Sequence, residues 1–353
     1  MRVGRLRRET GGRRRLAPVT VIDRKRIGRD VVAGTGGTKH ACVRVRVPSK
    51  VNLFLSIRGE RPDGYHEVMT VLQTVSIYDT IRAELVGPAA AHPASRRFME
   101  LSFTQEATDG VPSDGSNLAV RAAKGLMAAT GVGIAEHDGQ ADVPLTRMHL
   151  SKRIPVAAGM AGGSADAAAA LVALNDLWNV ELDRDELREL AAELGADVPF
   201  CVTGGTALAT GTGTATAQVL TRGAYAWVVA ISDEPLSTAE VYRAHDQVAD
   251  DRIYEPDAVL QALRTGDAEA LGAALHNDLE AAAFHLRPEL VDGKQALLDA
   301  GALGAIVSGS GPTLVGLASS AQHAGVIADE VRHRFDRVEV ALSPAGGPEI
   351  ISA

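Results

Sequence analysis

Val43-Arg44-Val45-Arg46-Val47 alternates apolar and polar positions strictly, which predicts a strand with one buried face, and Pro48 is expected to end it. The next run, through Leu55, stays extended and apolar except for Lys50 and Asn52. Residues 68–86 predict a return strand, broken at Tyr78-Asp79. Met148 to Ile154 again spaces its apolar residues like a strand. Ala165 to Trp178 is rich in Ala and Leu and free of Gly and Pro, so it predicts a helix. Further helices are predicted over 119–130, capped by Ser116 or Asn117, and over 183–194, with Asp183 as N-cap and Gly195 as stop. A strand and hairpin are expected in 204–214, and a domain boundary in the Gly-rich stretch 211–223.

The second half predicts a strand at 226–231 and a helix starting at Ser237-Thr238. Helices follow over 256–264, 267–284, 288–300 and 321–335, with strands at 305–307, 314–317 and 337–342. Strand, helices, strand, helix, strand is the order of an α+β sandwich on an antiparallel sheet.

Between the strand that ends at Ile154 and the helix that begins at Ala165 lies a loop with Gly159, Gly162, Gly163 and the hydroxyl of Ser164. Strand, glycine loop and helix N-terminus together make an anion site, because free N–H groups and the helix dipole both favour negative charge. The spacing fits neither a Walker A loop nor a dinucleotide fingerprint. A tight turn before a core helix is the plainer alternative.

Composition narrows the setting. The chain has 353 residues, enough for two cores, and no apolar run of membrane-spanning length. Its two cysteines, Cys42 and Cys201, make a disulfide framework unexpected and a reducing cytoplasm the default. Residues 1–40 carry a net charge of +9, leaving −17 for the rest. An acidic body argues against a nucleic-acid enzyme. The Arg-rich segment 1–41 is expected to be a disordered tail, with a start codon set too far upstream as one source of it. The folded domains are expected at 42–215 and 220–353.

Pro155-x-x-x-Gly159-x-x-Gly162-Gly163-Ser164 resembles the phosphate loop of the galactokinase, homoserine, mevalonate and phosphomevalonate (GHMP) kinase family. Met160-Ala161 replaces the usual Leu-Gly, and Ala165 replaces a second Ser. Pro48-Ser49-Lys50-Val51-Asn52-Leu53 and Ser308-Gly309-Ser310-Gly311-Pro312-Thr313 are similar to the other two motifs of that family. The resemblance covers roughly 43–350. It implies a two-domain GHMP kinase fold: an N-terminal ribosomal-protein-S5-domain-2-like domain that binds ATP and a C-terminal ferredoxin-like α/β sandwich. It implies ATP and Mg²⁺ as cofactors, a small-molecule alcohol as acceptor, no nucleic-acid or membrane partner, and a monomer or homodimer. Arg61-Pro62-Asp63-Gly64-Tyr65-His66 and Gly195-Ala196-Asp197-Val198-Pro199-Phe200 narrow it to members acting on a cytidine diphosphate-linked methylerythritol. The alternative is a sibling of homoserine or mevalonate type.

The same resemblance implies roles. Asp197 is the expected general base and Lys50 its charge partner. The loop residues Pro155, Val156, Ala157, Ala158, Gly159, Met160, Ala161, Gly162, Gly163, Ser164 and Ala165 are expected around the phosphates, with Ser164 also toward Mg²⁺. Lys152 and Asn117 are expected at the adenine end of ATP. Tyr65 and Tyr242 are expected to sandwich the pyrimidine, His66 to read its polar edge, and Asn52 and Thr238 to meet the rest of the acceptor. The 308–313 turn is expected to shape the pocket.

Overall fold

The computed structural model describes residues 42–62, 64–88, 99–104, 110–132, 144–232, 234–248 and 252–351. The expected tail 1–41 and Asp63 lie outside them.

Two long strands form the spine. β1 (Cys42–Glu60) and β2 (His66–Pro88) pair antiparallel along most of their length. The alternation at its start buries Val43, Val45 and Val47. From Val47 to Ser56 every residue of β1 is buried, because this stretch is covered on both faces. Pro48 does not end the strand. It stands at a bulge, where Pro48 pairs with Tyr78 and Ser49 with Val75, so its missing N–H breaks no regular ladder bond. Gly64, with φ +80, closes the turn between the strands, its N–H donating to the Arg61 carbonyl at 2.9 Å.

Tyr78-Asp79 does not break β2 either. The Asp79 carboxylate is fully buried and satisfied: one oxygen accepts from the N–H of Arg153 and Ile154, and the other meets Lys152.

β3 (Met99–Phe103), α1 (Leu118–Thr130), β4 (Pro144–Ser151), α2 (Gly162–Leu177), α3 (Arg184–Ala192), α4 (Val198–Thr203), β5 (Thr206–Gly211) and β6 (Ala215–Gln218) complete the first half. Asp183 caps α3 in a capping box with Glu186. The Ala-rich α2 packs against β1 and β2, since small side chains let the helix approach the sheet closely.

The second half holds β7 (Tyr225–Ile231), α5 (Thr238–Val248), α6 (Asp257–Thr265), α7 (Ala268–Ala274), β8 (His276–Asn277), α8 (Glu280–Leu286), α9 (Glu289–Asp299), β9 (Gly304–Val307), β10 (Leu314–Ala318), α10 (Ala321–Val331), β11 (Arg337–Ser343) and β12 (Glu349–Ile351). The expected helix over 267–284 is two short helices with a strand between them. Asn277 and Asp278 make the break: Asp278 N–H donates to Leu55 O, and Asn277 Oδ1 accepts from Leu279 N–H. Sheet pairing and an Asn side chain thus outcompete the helical ladder.

Among the described residues, the first sheet has eight strands, with β12-β1-β2-β4-β3 as its main path, β5 and β6 joined through β2, and β8 beside β1. The second is a four-stranded antiparallel sheet, β11-β7-β10-β9, as expected for the α+β sandwich. The region expected as a separate second domain therefore also lends β8 and β12 to the first sheet. Among the described residues no helix is long and apolar enough to cross a membrane.

Candidate active site

Lys50 is the centre. It lies on the doubly covered part of β1, with its ammonium buried. Nζ donates to Asn52 Oδ1 at 2.7 Å and to the Gly159 carbonyl at 2.9 Å, and stands 3.7 Å from Asp197 Oδ2. Strand β1, the glycine loop and the start of α4 thus meet on one ammonium.

Asp197 occupies the N-cap position of α4 but makes no capping hydrogen bond. Its carboxylate, 34% exposed, is left facing Lys50 and the open side of the site. Its charge reaches Tyr242, whose phenol is pushed up to about 12, first by burial and then by Asp197. Burial and the same carboxylate also push the Cys201 thiol up, which keeps it an un-ionised core residue.

Asn52, expected at the acceptor, spends its amide on neighbours within the protein. It is buried, with Oδ1 on Lys50 and Nδ2 donating to Thr70 Oγ1 at 2.9 Å, so it orients the ammonium.

The glycine loop takes three left-handed residues, Ala157 (φ 51), Gly159 (φ 73) and Ala161 (φ 57), before α2 begins. α2 has no side-chain cap and no acidic residue in its first turn. The N–H of Ala165 makes the first intrahelical bond, to Ala161 O at 2.9 Å, so those of Gly162, Gly163 and Ser164 have no helical acceptor. Three donors without an acceptor among the described residues, at a positive dipole end, fit a phosphate chain. Ala158, Met160 and Ala165 turn their side chains into the core, so only their backbone is available to a ligand. Pro155, Val156 and Ala157 lie toward the surface. Among the described residues no group of three or more His, Cys, Asp or Glu is arranged to hold a metal. The Ser164 hydroxyl, at the same helix end, fits Mg²⁺ as an ion carried mainly by phosphates.

The glycines divide by role. A Cβ on Gly159 would overlap the Ser308 carbonyl oxygen, and its φ is left-handed. A Cβ on Gly162 would press on Ile154 and Lys152 at 3.2 and 3.3 Å. One on exposed Gly163 would meet only Leu118, at 3.4 Å. The fold therefore needs Gly159, whereas packing within the protein leaves room for a Cβ at Gly163. Gly159→Ala is expected to lower the melting temperature as well as ATP affinity. Gly163→Val is expected to lose ATP affinity at a near-normal melting temperature; calorimetric titration beside a thermal melt separates the two.

Lys152 is not free for adenine. Its ammonium, 2% exposed, is clasped between Asp79 and Asp166, the latter at 2.7 Å. Burial makes a lone ammonium costly, and two carboxylates hold it charged, above its ordinary range. Asp166 is pushed up to about 8, by burial first and by Asp79, with Lys152 offsetting part. Its Oδ1 is buried without a hydrogen-bond partner among the described residues. This cluster ties β2, the end of β4 and the first turns of α2 together directly beneath the glycine loop. Asn117 is likewise spent within the fold: Oδ1 caps α1 through Ala119 N–H at 2.8 Å, and Nδ2 donates to Pro112 O at 2.8 Å.

On the other flank, the His66 and Tyr242 rings lie 4.9 Å apart, and His66 Nε2 is 2.8 Å from Asp246 Oδ1. Tyr65 is 67% exposed, so the ring beside Tyr242 is that of His66. Thr238 Oγ1 is 3.0 Å from Ser310 Oγ, which joins α5 to the 308–313 turn. That turn, with Gly309 at φ +57 and Gly311 at φ +79, packs on the glycine loop, and Ser308 Oγ donates to Gly159 O at 3.2 Å.

Sequence reasoning did not single out Asp79, Asp166, Asp246 or Asn277 for the site. A carboxylate inside an apolar strand, and another inside an alanine run, are the signals that could have found the first two.

Residues 117–205 match the family described as GHMP kinases N terminal domain, and 259–337 match GHMP kinases C terminal. A 4-diphosphocytidyl-2-C-methyl-D-erythritol kinase from Nocardioides sp. is 45% identical over 312 residues, 87% of this chain and 99% of that protein. The protein of the same name from Mycobacterium tuberculosis is 43% identical over 317 residues, 88% of this chain and 93% of that one. A crystal structure of 4-(cytidine 5'-diphospho)-2C-methyl-D-erythritol kinase superposes with a TM-score of 0.69 at 34% identity, covering 86% of this chain and all of that one (100%). Homoserine kinase from Cytophaga hutchinsonii shares the fold, with a TM-score of 0.66 at 20% identity over 89% of this chain and 99% of that one. With two family domains in order, and relatives of this identity along nearly all of their own length, the chain belongs to the GHMP kinase family and is an ATP-dependent small-molecule kinase.

Proposed function

We propose that this kinase transfers the γ-phosphoryl group of ATP to the 2-hydroxyl of 4-diphosphocytidyl-2-C-methyl-D-erythritol, a step of the non-mevalonate route to isoprenoid precursors. The observation that carries the reading is the meeting of Lys50 and Asp197 beside the free N–H groups of the glycine loop. The names of the relatives supply the acceptor.

Phosphoryl transfer asks for alignment, charge neutralisation and a place for one proton. Asp197 takes the proton of the acceptor hydroxyl as that oxygen forms its bond to the γ-phosphorus and the bond to the ADP oxygen breaks. Lys50, held by Asn52 and Gly159, keeps Asp197 in place and offsets charge on the moving phosphoryl group. The N–H groups of Gly162, Gly163 and Ser164 hold the β- and γ-phosphates. Bound Mg²⁺ would neutralise the phosphate oxygens, with Ser164 Oγ as its protein ligand. His66 and Tyr242 give the pyrimidine a ring surface, and Asp246 fixes the orientation of His66. Tyr65, exposed beside His66 in sequence, would cover the second face.

ADP release, followed by a coupled assay, should require both the cytidyl alcohol and Mg²⁺. Equal release with homoserine or mevalonate would assign the chain to a sibling specificity instead.

A further inference from the structure

Asn277 uses its whole amide inside the protein. It is 7% exposed. Nδ2 donates to Val307 O and to Gly309 O, both at 2.8 Å, and Oδ1 accepts from Leu279 N–H at 2.9 Å. Its own backbone is fixed from the other side. β8 runs parallel to β1, with Leu55 opposite Asn277. Asp278 N–H donates to Leu55 O at 3.0 Å, and Ile57 N–H donates to Asp278 Oδ2 at 2.7 Å. Asn277 is therefore a rigid post on the β1 edge that carries the start of the 308–313 turn.

Gly309 lies at the far end of that post. A Cβ added there would come within 3.2 Å of Asn52 Oδ1, 3.2 Å of Gly159 O and 3.4 Å of Lys50 Nζ. Gly309 is thus a lid of backbone pressed on Lys50. The carbonyl of Gly159 is shared by Lys50 Nζ and Ser308 Oγ, so the turn and the ammonium bear on one oxygen. Moving the turn moves the wall against which Lys50 rests.

We propose that Asn277 is a positioning residue for phosphoryl transfer, holding Gly309 over Lys50 so that the ammonium stays between Gly159 and Asp197. The inference rests on the reading of Lys50 and Asp197 given above. Removing the amide leaves two buried carbonyls without donors, and the turn must relax to find others. A displacement of about 1 Å at a reacting group costs on the order of 10²-fold in rate.

The test measures kcat and both KM values for Asn277→Ala, Lys50→Ala and the double variant, with thermal melts as controls. Asn277→Ala is expected to lose kcat by ~10–10²-fold with KM for ATP changed less than about threefold. In the Lys50→Ala protein the same change should cost almost nothing more, because Asn277 acts through Lys50. Asn277→Ser keeps one donor and serves if the Ala variant does not fold; its smaller loss should vanish in the same background. Asn277→Asp, nearly the same shape but facing two carbonyls with a carboxylate, should lose more than Ala. Full kcat in a folded Asn277→Ala protein would overturn the inference. So would equal losses with and without Lys50, which would mean that Asn277 only supports the fold. If Lys50→Ala itself turned over normally, the transfer reading would fall and take this inference with it.

Discussion

Asp197→Asn is expected to cut turnover by ~10²–10⁴-fold while leaving the affinities for ATP and for the acceptor nearly unchanged. The side chain keeps its shape and loses its basicity. The structure makes the substitution clean, because the carboxylate caps no helix and, among the described residues, pairs with Lys50 alone, at 3.7 Å. Lys50→Ala should also lower turnover, and the double variant should fall little below the worse single one, since the two residues act as a unit. Single-turnover rates at saturating ATP are the decisive measurement. A protein that kept most of its turnover without the carboxylate would rule out Asp197 as the base.

The largest stability loss is expected at Lys152. Lys152→Met takes the cation away from the buried Asp79 carboxylate and leaves Asp166 Oδ2 without its donor, and breaking a buried pair from one side costs about 3–5 kcal/mol. Urea unfolding should show this loss. The wild-type protein should carry its own slope. Asp166, pushed up to about 8 from the ordinary carboxylate range, keeps in the folded state a proton that the unfolded chain gives up. The folded state binds more protons across that window, so stability should fall as pH rises from about 4 toward 8. Asp166→Asn should flatten this fall. A slope unchanged by the substitution would place the titrating group elsewhere.

Much of the frame was legible in the sequence because its signals are local. Strict alternation marked the start of β1, an alanine run marked α2, and Asp183 marked the N-terminus of α3. Lys50 and the glycine loop stood out for the same reason: a cation in a buried strand and three glycines before a helix are visible without partners. What stayed hidden depends on contacts between distant residues. Asp79 reads as a strand breaker until Lys152 and two backbone N–H groups are brought to it. Lys152 reads as a ligand for the nucleotide until both of its carboxylates are found. Asn52 reads as a substrate contact until Lys50 and Thr70 claim its amide. β8 is two residues long and lies within a helical pattern, so only its pairing with β1 reveals it.

The return of β12 to β1 has a consequence for how such a chain is made. The first described strand has the last one as its neighbour, with Arg44 opposite Ile351. During synthesis the spine strand leaves the ribosome early and waits with one edge open until residues 349–351 follow. The glycine loop waits as well, because the Ser308 hydroxyl that shares the Gly159 carbonyl also arrives late. Sheet closure across almost the full described length is slow in chain-entropy terms, and an open edge invites pairing with other chains. Assembly of the glycine-loop end is therefore expected to wait until residues 308 and 349–351 have left the ribosome.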